Sequence, residues 1–438
     1  MSDYALRGGR IVDPGTGTDE VGDLIISDGK IASRGPAGTT GGGAVEIDVA
    51  GKVVAPGFVD LHTHVREPGR EDEENILSAS RAAAAGGYTA ICTMPNTDPV
   101  ADSAAIVEKV WALGREAGLV HVVPAGSLSK RLEGKKMADL GEMVRSAAQV
   151  RLFTDDGNGV QDALFARRVM EYLVAFDAIY AEHCEDATLA AGGQMHEGDR
   201  SVALGLRGIP AEAEELMAAR DVALARVTGC RLHLLHISTA GTVEIVRRAK
   251  KEGVRVTAEA TPHHFTLTDA YLETYDPMGK VNPPLRTEED RKAVIEGLSD
   301  GTIDAIATDH APHAREEKDQ EFSYAPPGML GLETALALTI TELVAPGHLS
   351  MSAAIERLAT APARILGLTD QGSLLPGSPA NVVVFDPEES WTVDASRFHS
   401  RSRNTPFEGR TVTGRVLHTF FSGTQTVSLG RVVEPVGA

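Results

Sequence analysis

The sequence predicts an α/β fold: a (β/α)8 barrel of the TIM type, joined to a smaller β domain composed from both ends of the chain. Three observations lead there. Eight short strand-forming runs recur between residues 57 and 307, with Ala-, Leu- and Arg-rich helical stretches between them. Both termini instead show short alternating segments broken by turn clusters. The length, 438 residues, is too great for one simple domain and suits a large barrel with a smaller unit beside it.

In order along the chain, residues 1–55 hold alternating segments at Tyr4 to Leu6, Arg10 to Val12, Asp23 to Ser27 and Ala44 to Ile47. Turn clusters such as DPGTGTD and GTTGGG separate them. This pattern predicts a small antiparallel β unit without catalytic residues. From residue 56 to 372 the texture is that of the barrel. Strands are predicted at 57–61, 88–93, 120–124, 151–154, 178–182, 232–235, 255–259 and 303–307, and helices at 74–85, 103–117, 161–175, 211–228, 240–251 and 287–298. The connection 184–210 and the loop 310–328 are expected over its open end. Residues 373–438 return to short strands, at Ala380 to Phe385, Trp391 to Val393, Val412 to Val416 and Thr419 to Ser422, which join the N-terminal strands in one composite β domain.

Composition excludes several functions. With 42 basic and 62 acidic side chains the net charge is −20, which argues against a nucleic-acid or anionic-membrane partner. No apolar run approaches a membrane span and the N-terminus has no signal-peptide pattern, so the protein is expected in the cytoplasm. Cys92, Cys184 and Cys230 lack CxxC spacing and are read as small packing residues. An acidic protein that takes an anionic substrate needs a local reversal of field, from metals and a few arginines.

Catalysis on a barrel belongs at the C-terminal ends of its strands. Strand 1 ends at His62 and His64, whose i, i+2 spacing lets two imidazoles reach one point, with Arg66 just beyond. Strand 4 ends at Asp155 and Asp156, strand 5 at His183, strand 6 at His236 and strand 8 at Asp309. A lone HxH is ordinarily a polar turn, but four histidines and two carboxylates on one rim, one of them from the Asp155–Asp156 pair, are hard to explain structurally. Neutral imidazole with carboxylate suits zinc or a similar divalent ion. Six ligands exceed one tetrahedral site and fit two ions about 3.5–4 Å apart, sharing a carboxylate and a hydroxide, with the pKa of the bound water lowered to about 7.

Nearly end to end, the chain resembles the dihydroorotases of the amidohydrolase superfamily, of the bacterial type with an aspartate in place of a carboxylated lysine. The motifs are PGFVDLHTHVREPG (56–69), GGYTAICTMPNTDP (86–99), LFTDDG (152–157), EHCED (182–186), HLLHIST (233–239), TAEATPHHF (257–265), VNPPLR (281–286), DAIATDHAPHAREEK (304–318) and NTPFEG (404–409). The resemblance implies a barrel with a β-sandwich built from both termini. It implies reversible interconversion of N-carbamoyl-L-aspartate and L-dihydroorotate in pyrimidine synthesis, with two Zn2+ per subunit.

By position, the resemblance assigns one metal to His62, His64 and Asp309 and the other to His183 and His236. Asp156, 27 residues before His183, is preferred to Asp155 as the bridge. For the substrate it implies His64, Arg66, Asn96, Asn282 and His313, with backbone groups of Pro327 and Gly328. Asp309 is implied as the proton shuttle between a metal-activated hydroxide and the leaving nitrogen. His263, His264 and His310 are read as packing and hydrogen-bonding residues. Glu73, where relatives often have lysine, is expected on the helix after the motif, at the surface. A homodimer and an aspartate transcarbamoylase partner are further expectations. The rival readings are another cyclic amidohydrolase, a hydantoinase or allantoinase, and a non-catalytic scaffold for a carbamoyltransferase. The DDG aspartate, the REPG and NPPLR motifs and the six retained ligands weigh against them.

Overall fold

A computed structural model describes residues 2–39 and 43–433; the middle of the GTTGGG cluster lies outside them. Five strands precede the barrel: β1 (Tyr4–Asp13), β2 (Thr18–Ser27), β3 (Lys30–Gly35), β4 (Val45–Asp48) and β5 (Val53–Pro56). The two segments expected at Tyr4 to Leu6 and Arg10 to Val12 are one strand, continued across Arg7–Gly9 through a register shift against β2. Such a bulge bends a strand without ending it. The unit is also not purely antiparallel, because β4 and β5 both pair with β1 in parallel.

Gly57 alone separates β5 from β6 (Phe58–Thr63), the first barrel strand. A Cβ there would stand 2.3 Å from the side chain of Thr89, so only glycine lets the two strands approach at this junction. The barrel continues through β7 (Tyr88–Thr93), β8 (His121–Pro124), β9 (Leu152–Thr154) and β10 (Ile179–Glu182). In the connection that follows, β11 (Met195–His196) and β12 (Gly208–Ile209) form a short parallel pair. The last barrel strands are β13 (Arg231–Leu234), β14 (Val256–Ala260) and β15 (Ala305–Ile306).

All neighbouring pairs among these eight strands are parallel. Single parallel bridges, Gly126 to Phe153 and Thr63 to His310, join β8 to β9 and bring the chain beyond β15 back to β6, which closes the barrel. Helices cover it at Ile76–Ala85, Ala104–Ala117, Ala163–Leu173, Glu212–Thr228, Ala240–Lys251 and Glu288–Asp300. Their starts follow from local chemistry: Asn75, Asp162, Thr239 and Thr287 each accept a backbone N–H of the first turn. Val59, Leu61, Ala90, Cys92, Leu152, Ile179, Ala181 and Ala305 fill the barrel interior.

Beyond the barrel, β16 (Val382–Thr392), β17 (Thr411–Phe421), β18 (Thr424–Ser428) and β19 (Arg431–Val432) complete a sheet of nine strands with β1–β5, in which β16 lies against β5. The segments expected at Ala380 to Phe385 and Trp391 to Val393 are again one strand, irregular between Asp386 and Ser390. The rings of Tyr4 and Phe420 meet at 5.0 Å although β5 and β16 lie between their strands. The sheet therefore folds over a core of its own, with Leu6, Ile11, Leu24, Val54, Val382 and Phe420 inside.

Candidate active site

β6 delivers the first two histidines. Val59 and Leu61 face the barrel interior, so strict alternation would turn His62 and His64 outward. A register irregularity against β7 between Asp60 and Thr63 re-aims the strand end, and both rings enter the mouth. His62 is fully buried. Its Nδ1 lies 2.9 Å from Oε1 of Glu259, and its Nε2, which has no hydrogen-bond partner, lies 3.5 Å from Oδ1 of Asp156 and 3.6 Å from Oδ1 of Asp309. His64 sets Nδ1 3.0 Å from Oδ1 of Asn96 and Nε2 3.0 Å from Oδ1 of Asp309, with Asp156 Oδ2 at 3.5 Å.

The two aspartates after β9 divide. Asp155 turns to the loop after β8, where Oδ1 accepts the N–H groups of Leu128 and Ser129 at 2.9 Å each and Oδ2 accepts the Ser129 hydroxyl. Asp156 turns to the histidines. Its Oδ1 is buried without a hydrogen bond, 3.6 Å from Nδ1 of His183 and 3.6 Å from Nε2 of His236. Those two ring nitrogens are themselves 2.9 Å apart. Burial pushes the Asp156 carboxyl up, but the His62 charge and the close approach of the His183, His236 and His62 rings hold it well below the usual carboxylate range. Asp309 is treated alike: burial raises it, and His62 and His64 bring it below its ordinary value.

Ligand atoms of His62, His64 and Asp156 lie within 4.8 Å of one another, and so do those of Asp156, His183 and His236. Asp156 belongs to both groups. The orphaned nitrogen of His62 and the orphaned oxygen of Asp156 are the atoms that a divalent ion would satisfy, and imidazole with carboxylate is a fitting donor set. Three residues of the site adopt left-handed backbone: Arg66 (φ +60°), His236 (φ +31°) and Asp309 (φ +47°). Side chains other than glycine rarely sit there, and such positions gather where surrounding structure fixes a functional geometry.

Glu259 is the residue that sequence reasoning missed. Fully buried on β14, it faces His62 through Oε1, which also accepts the backbone N–H of His236 at 3.3 Å, and it meets Nε2 of His233 at 3.0 Å through Oε2. Burial pushes its carboxyl up, yet hydrogen bonds from His233 and His62 hold it at about 2. A carboxylate on Nδ1 leaves the Nε2 lone pair of His62 directed inward. The only signal in the sequence was an acidic residue inside a strand of the TAEATPHHF motif.

The expected substrate residues are placed as follows. Arg66 donates Nε to the carbonyl of Pro312 at 3.1 Å. Asn96 spends its oxygen on His64. Asn282 has Nδ2 3.4 Å from Nε2 of His183 and leaves Oδ1 without a partner. His313 sets Nε2 2.8 Å from the Pro327 carbonyl, while the Gly328 N–H donates to Lys280 and its carbonyl accepts from Lys318. The backbone groups at 327 and 328 are thus engaged within the protein. His264 reaches the Pro283 carbonyl at 3.1 Å, beside Asn282, and His310 lies 3.3 Å from Glu74. Glu73 is not on the helix and not at the surface. It sits in the loop before Ile76, fully buried, because the chain doubles back after Arg66.

A closed parallel barrel whose rim carries two histidine–aspartate groups with one shared carboxylate is the arrangement of the amidohydrolase class. A family model described as Dihydro-orotase-like matches residues 51–242. The dihydroorotase of Pelotomaculum thermopropionicum is 49% identical, over 98% of this chain and 99% of its own. That of Streptomyces coelicolor is 48% identical over 99% and 100%. Among solved structures, an L-hydantoinase (dihydropyrimidinase) from Arthrobacter aurescens is similar with a TM-score of 0.87 at 28% identity, covering 99% of this chain and 98% of that one. The chain belongs to the dihydroorotase family.

Proposed function

We propose that this protein opens the ring amide of L-dihydroorotate to N-carbamoyl-L-aspartate, and closes it again, in pyrimidine synthesis. The observation that carries the reading is Asp156, one carboxylate facing four histidines at the mouth of a barrel from the dihydroorotase family. His62, His64 and Asp309 would hold one zinc ion and His183 and His236 the other, with Asp156 between. Two such ions, when bound, polarise the ring carbonyl and lower the pKa of water to about 7, which supplies the nucleophile.

The chain's own residues do the rest. Arg66, half-buried at the rim and within the electrostatic reach of Asp309 and Asp156, receives the substrate carboxylate in a fork. Asn96 and Asn282 line the same mouth and offer their remaining amide groups to the ring. Asp309, unprotonated at rest, takes the proton of the attacking water and delivers it to the departing amide nitrogen; ring closure runs the transfer backwards. Burial of the site keeps bulk water from competing for that proton.

Turnover of L-dihydroorotate by the purified, zinc-loaded protein, beside hydantoin and allantoin, tests the reading. Activity on dihydroorotate alone supports it, and activity confined to hydantoin or allantoin transfers the protein to a neighbouring specificity. Inactivity on all three would point to a scaffold. A homodimer, an aspartate transcarbamoylase partner and a cytoplasmic location complete the proposal. They are read out by mass in solution, by activity with and without the transcarbamoylase, and by fractionation. No described helix is long and apolar enough to cross a membrane.

A further inference from the structure

The corner that holds Arg66 contains a buried carboxylate with no part in the reaction above. Glu73 is 0% exposed, and its two oxygens face three cationic or imidazole side chains. Oε2 lies 3.2 Å from Nε of Arg66, while Oε1 lies 2.8 Å from Nη2 of Arg70 and 3.3 Å from Nδ1 of His313. The backbone brings it there. Arg70 N–H donates to the Arg66 carbonyl at 3.0 Å and Glu73 N–H to the Arg70 carbonyl at 3.1 Å, so the loop folds under its own arginine. Glu317 closes the corner from the opposite loop, ion-paired with Arg70 and 3.5 Å from Nδ1 of His313.

Glu73, His313 and Glu317 are close enough to enclose a cation. Arg66 and Arg70 already bring two positive charges to those carboxylates, so the cluster is an ion-pair knot and not a metal site. Its effect is directional. Arg66 donates its one Nε–H to the Pro312 carbonyl, with Glu73 Oε2 beside that nitrogen as an ion pair without a hydrogen bond, and its terminal nitrogens have no ion pair or hydrogen bond among the described residues. The His313 ring lies between Glu73, 3.3 Å from Nδ1, and the Pro327 carbonyl, 2.8 Å from Nε2. A carboxylate behind a guanidinium also weakens its pull on an anion, and with Glu317 on Arg70 the two arginines and two carboxylates of the corner balance.

We propose that Glu73 is a positioning residue: it fixes Arg66 and His313 against each other so that the Arg66 fork meets the substrate carboxylate in one orientation. The inference rests on the reading that Arg66 receives that carboxylate. It is tested with Glu73→Ala, Glu73→Gln, Arg66→Ala and the Glu73→Ala/Arg66→Ala double variant, assayed on L-dihydroorotate with melting temperature and zinc content measured on each. Glu73→Ala is expected to raise KM about tenfold with kcat changed less than about threefold, the pattern of lost uniform binding. Glu73→Gln keeps the volume but must set its amide, a donor, against either Arg66 Nε or Arg70 Nη2, so its KM is expected to stay raised by more than about threefold over wild type.

The double variant is expected to be no worse in KM than Arg66→Ala alone, because Glu73 acts through Arg66. A merely structural role would leave the two effects multiplying, and that result overturns the proposal. So would a fall in kcat at unchanged KM. If the alanine variant does not fold, Glu73→Asp carries the test: one methylene shorter, it cannot span Arg66 and His313, and an unchanged KM refutes the inference. A zinc-loaded wild type that fails to open dihydroorotate refutes the proposed function directly, whatever the variants do, and takes this inference with it.

Discussion

Replacing Glu259 by glutamine tests whether the buried carboxylate sets the metal-binding atom of His62. The native side chain accepts everywhere: from His62 Nδ1 at 2.9 Å, from His236 N–H at 3.3 Å and from His233 Nε2 at 3.0 Å. Glutamine has one accepting end. Its amide must therefore oppose either His62 or His233, and whichever ring faces it loses a charge-assisted hydrogen bond worth about 1.5–3 kcal/mol. If His62 turns or changes tautomer, its orphaned Nε2 no longer presents a lone pair beside Asp156. Removing such a supporting group typically costs about 10–100-fold in metal affinity, or about 1.4–2.8 kcal/mol. Competition of zinc between the protein and a chromophoric chelator measures this. The expected result is a loss of that size in one of two binding steps, in a variant that still folds by circular dichroism. Zinc affinity within about twofold of wild type in both steps, in Glu259→Gln and in Glu259→Ala, would refute the role, as would lost turnover with zinc fully retained.

Asp309→Asn removes the proton carrier, and kcat should fall about 10²–10⁴-fold with the fold intact; a loss under about tenfold would exclude Asp309 from proton transfer. At Gly328, φ is +135° and a Cβ would stand 2.8 Å from both Ala311 Cβ and His313 Nε2, so Gly328→Ala should displace the loop, raise KM and destabilise by about 1–3 kcal/mol in chemical denaturation. Lys318 is buried with Nζ on the carbonyls of Pro326 and Gly328, and burial pushes it down to about 7, helped by Lys280. Its buried charge is a penalty fully present below pH 7 and relieved as pH rises, since the unfolded chain then binds the extra proton. Wild type should therefore gain stability relative to Lys318→Met by up to about 1.4 kcal/mol per pH unit above pH 7. A difference that does not change with pH would refute the shift.

Much of the barrel was legible because strand and helix carry different periods, and each predicted strand falls within two residues of the observed one. β13, for example, runs over Arg231–Leu234 where 232–235 was expected. The rim histidines and aspartates were legible for the same reason: a strand that ends in His or Asp declares its C-terminal end. What the sequence did not reveal depends on long-range contact. β1, β16 and β17 were each read as two strands because Arg7–Gly9, Asp386–Ser390 and Leu417–His418 resemble breaks, whereas pairing across a bulge keeps each strand whole. Glu73 lies in a run of charged residues, REDEE, which by itself reads as a solvated face; only the fold shows that Arg66, Arg70 and His313 surround it. Asn96 could be read as a turn residue or a substrate contact, and the structure sets it on His64. Glu259 gave no periodic signal, since its partners are 197 residues before it in the case of His62 and 26 in the case of His233.

The rim is proposed to hold two ions around Asp156 and to use them on dihydroorotate. The most direct measurement strips the protein with a chelator, then adds zinc while ring opening of L-dihydroorotate is followed. Turnover should be negligible in the stripped protein and rise to a level reached at two equivalents per chain, a rise abolished in Asp156→Ala. Full turnover without metal, or two bound equivalents with no turnover of dihydroorotate, would contradict the proposal.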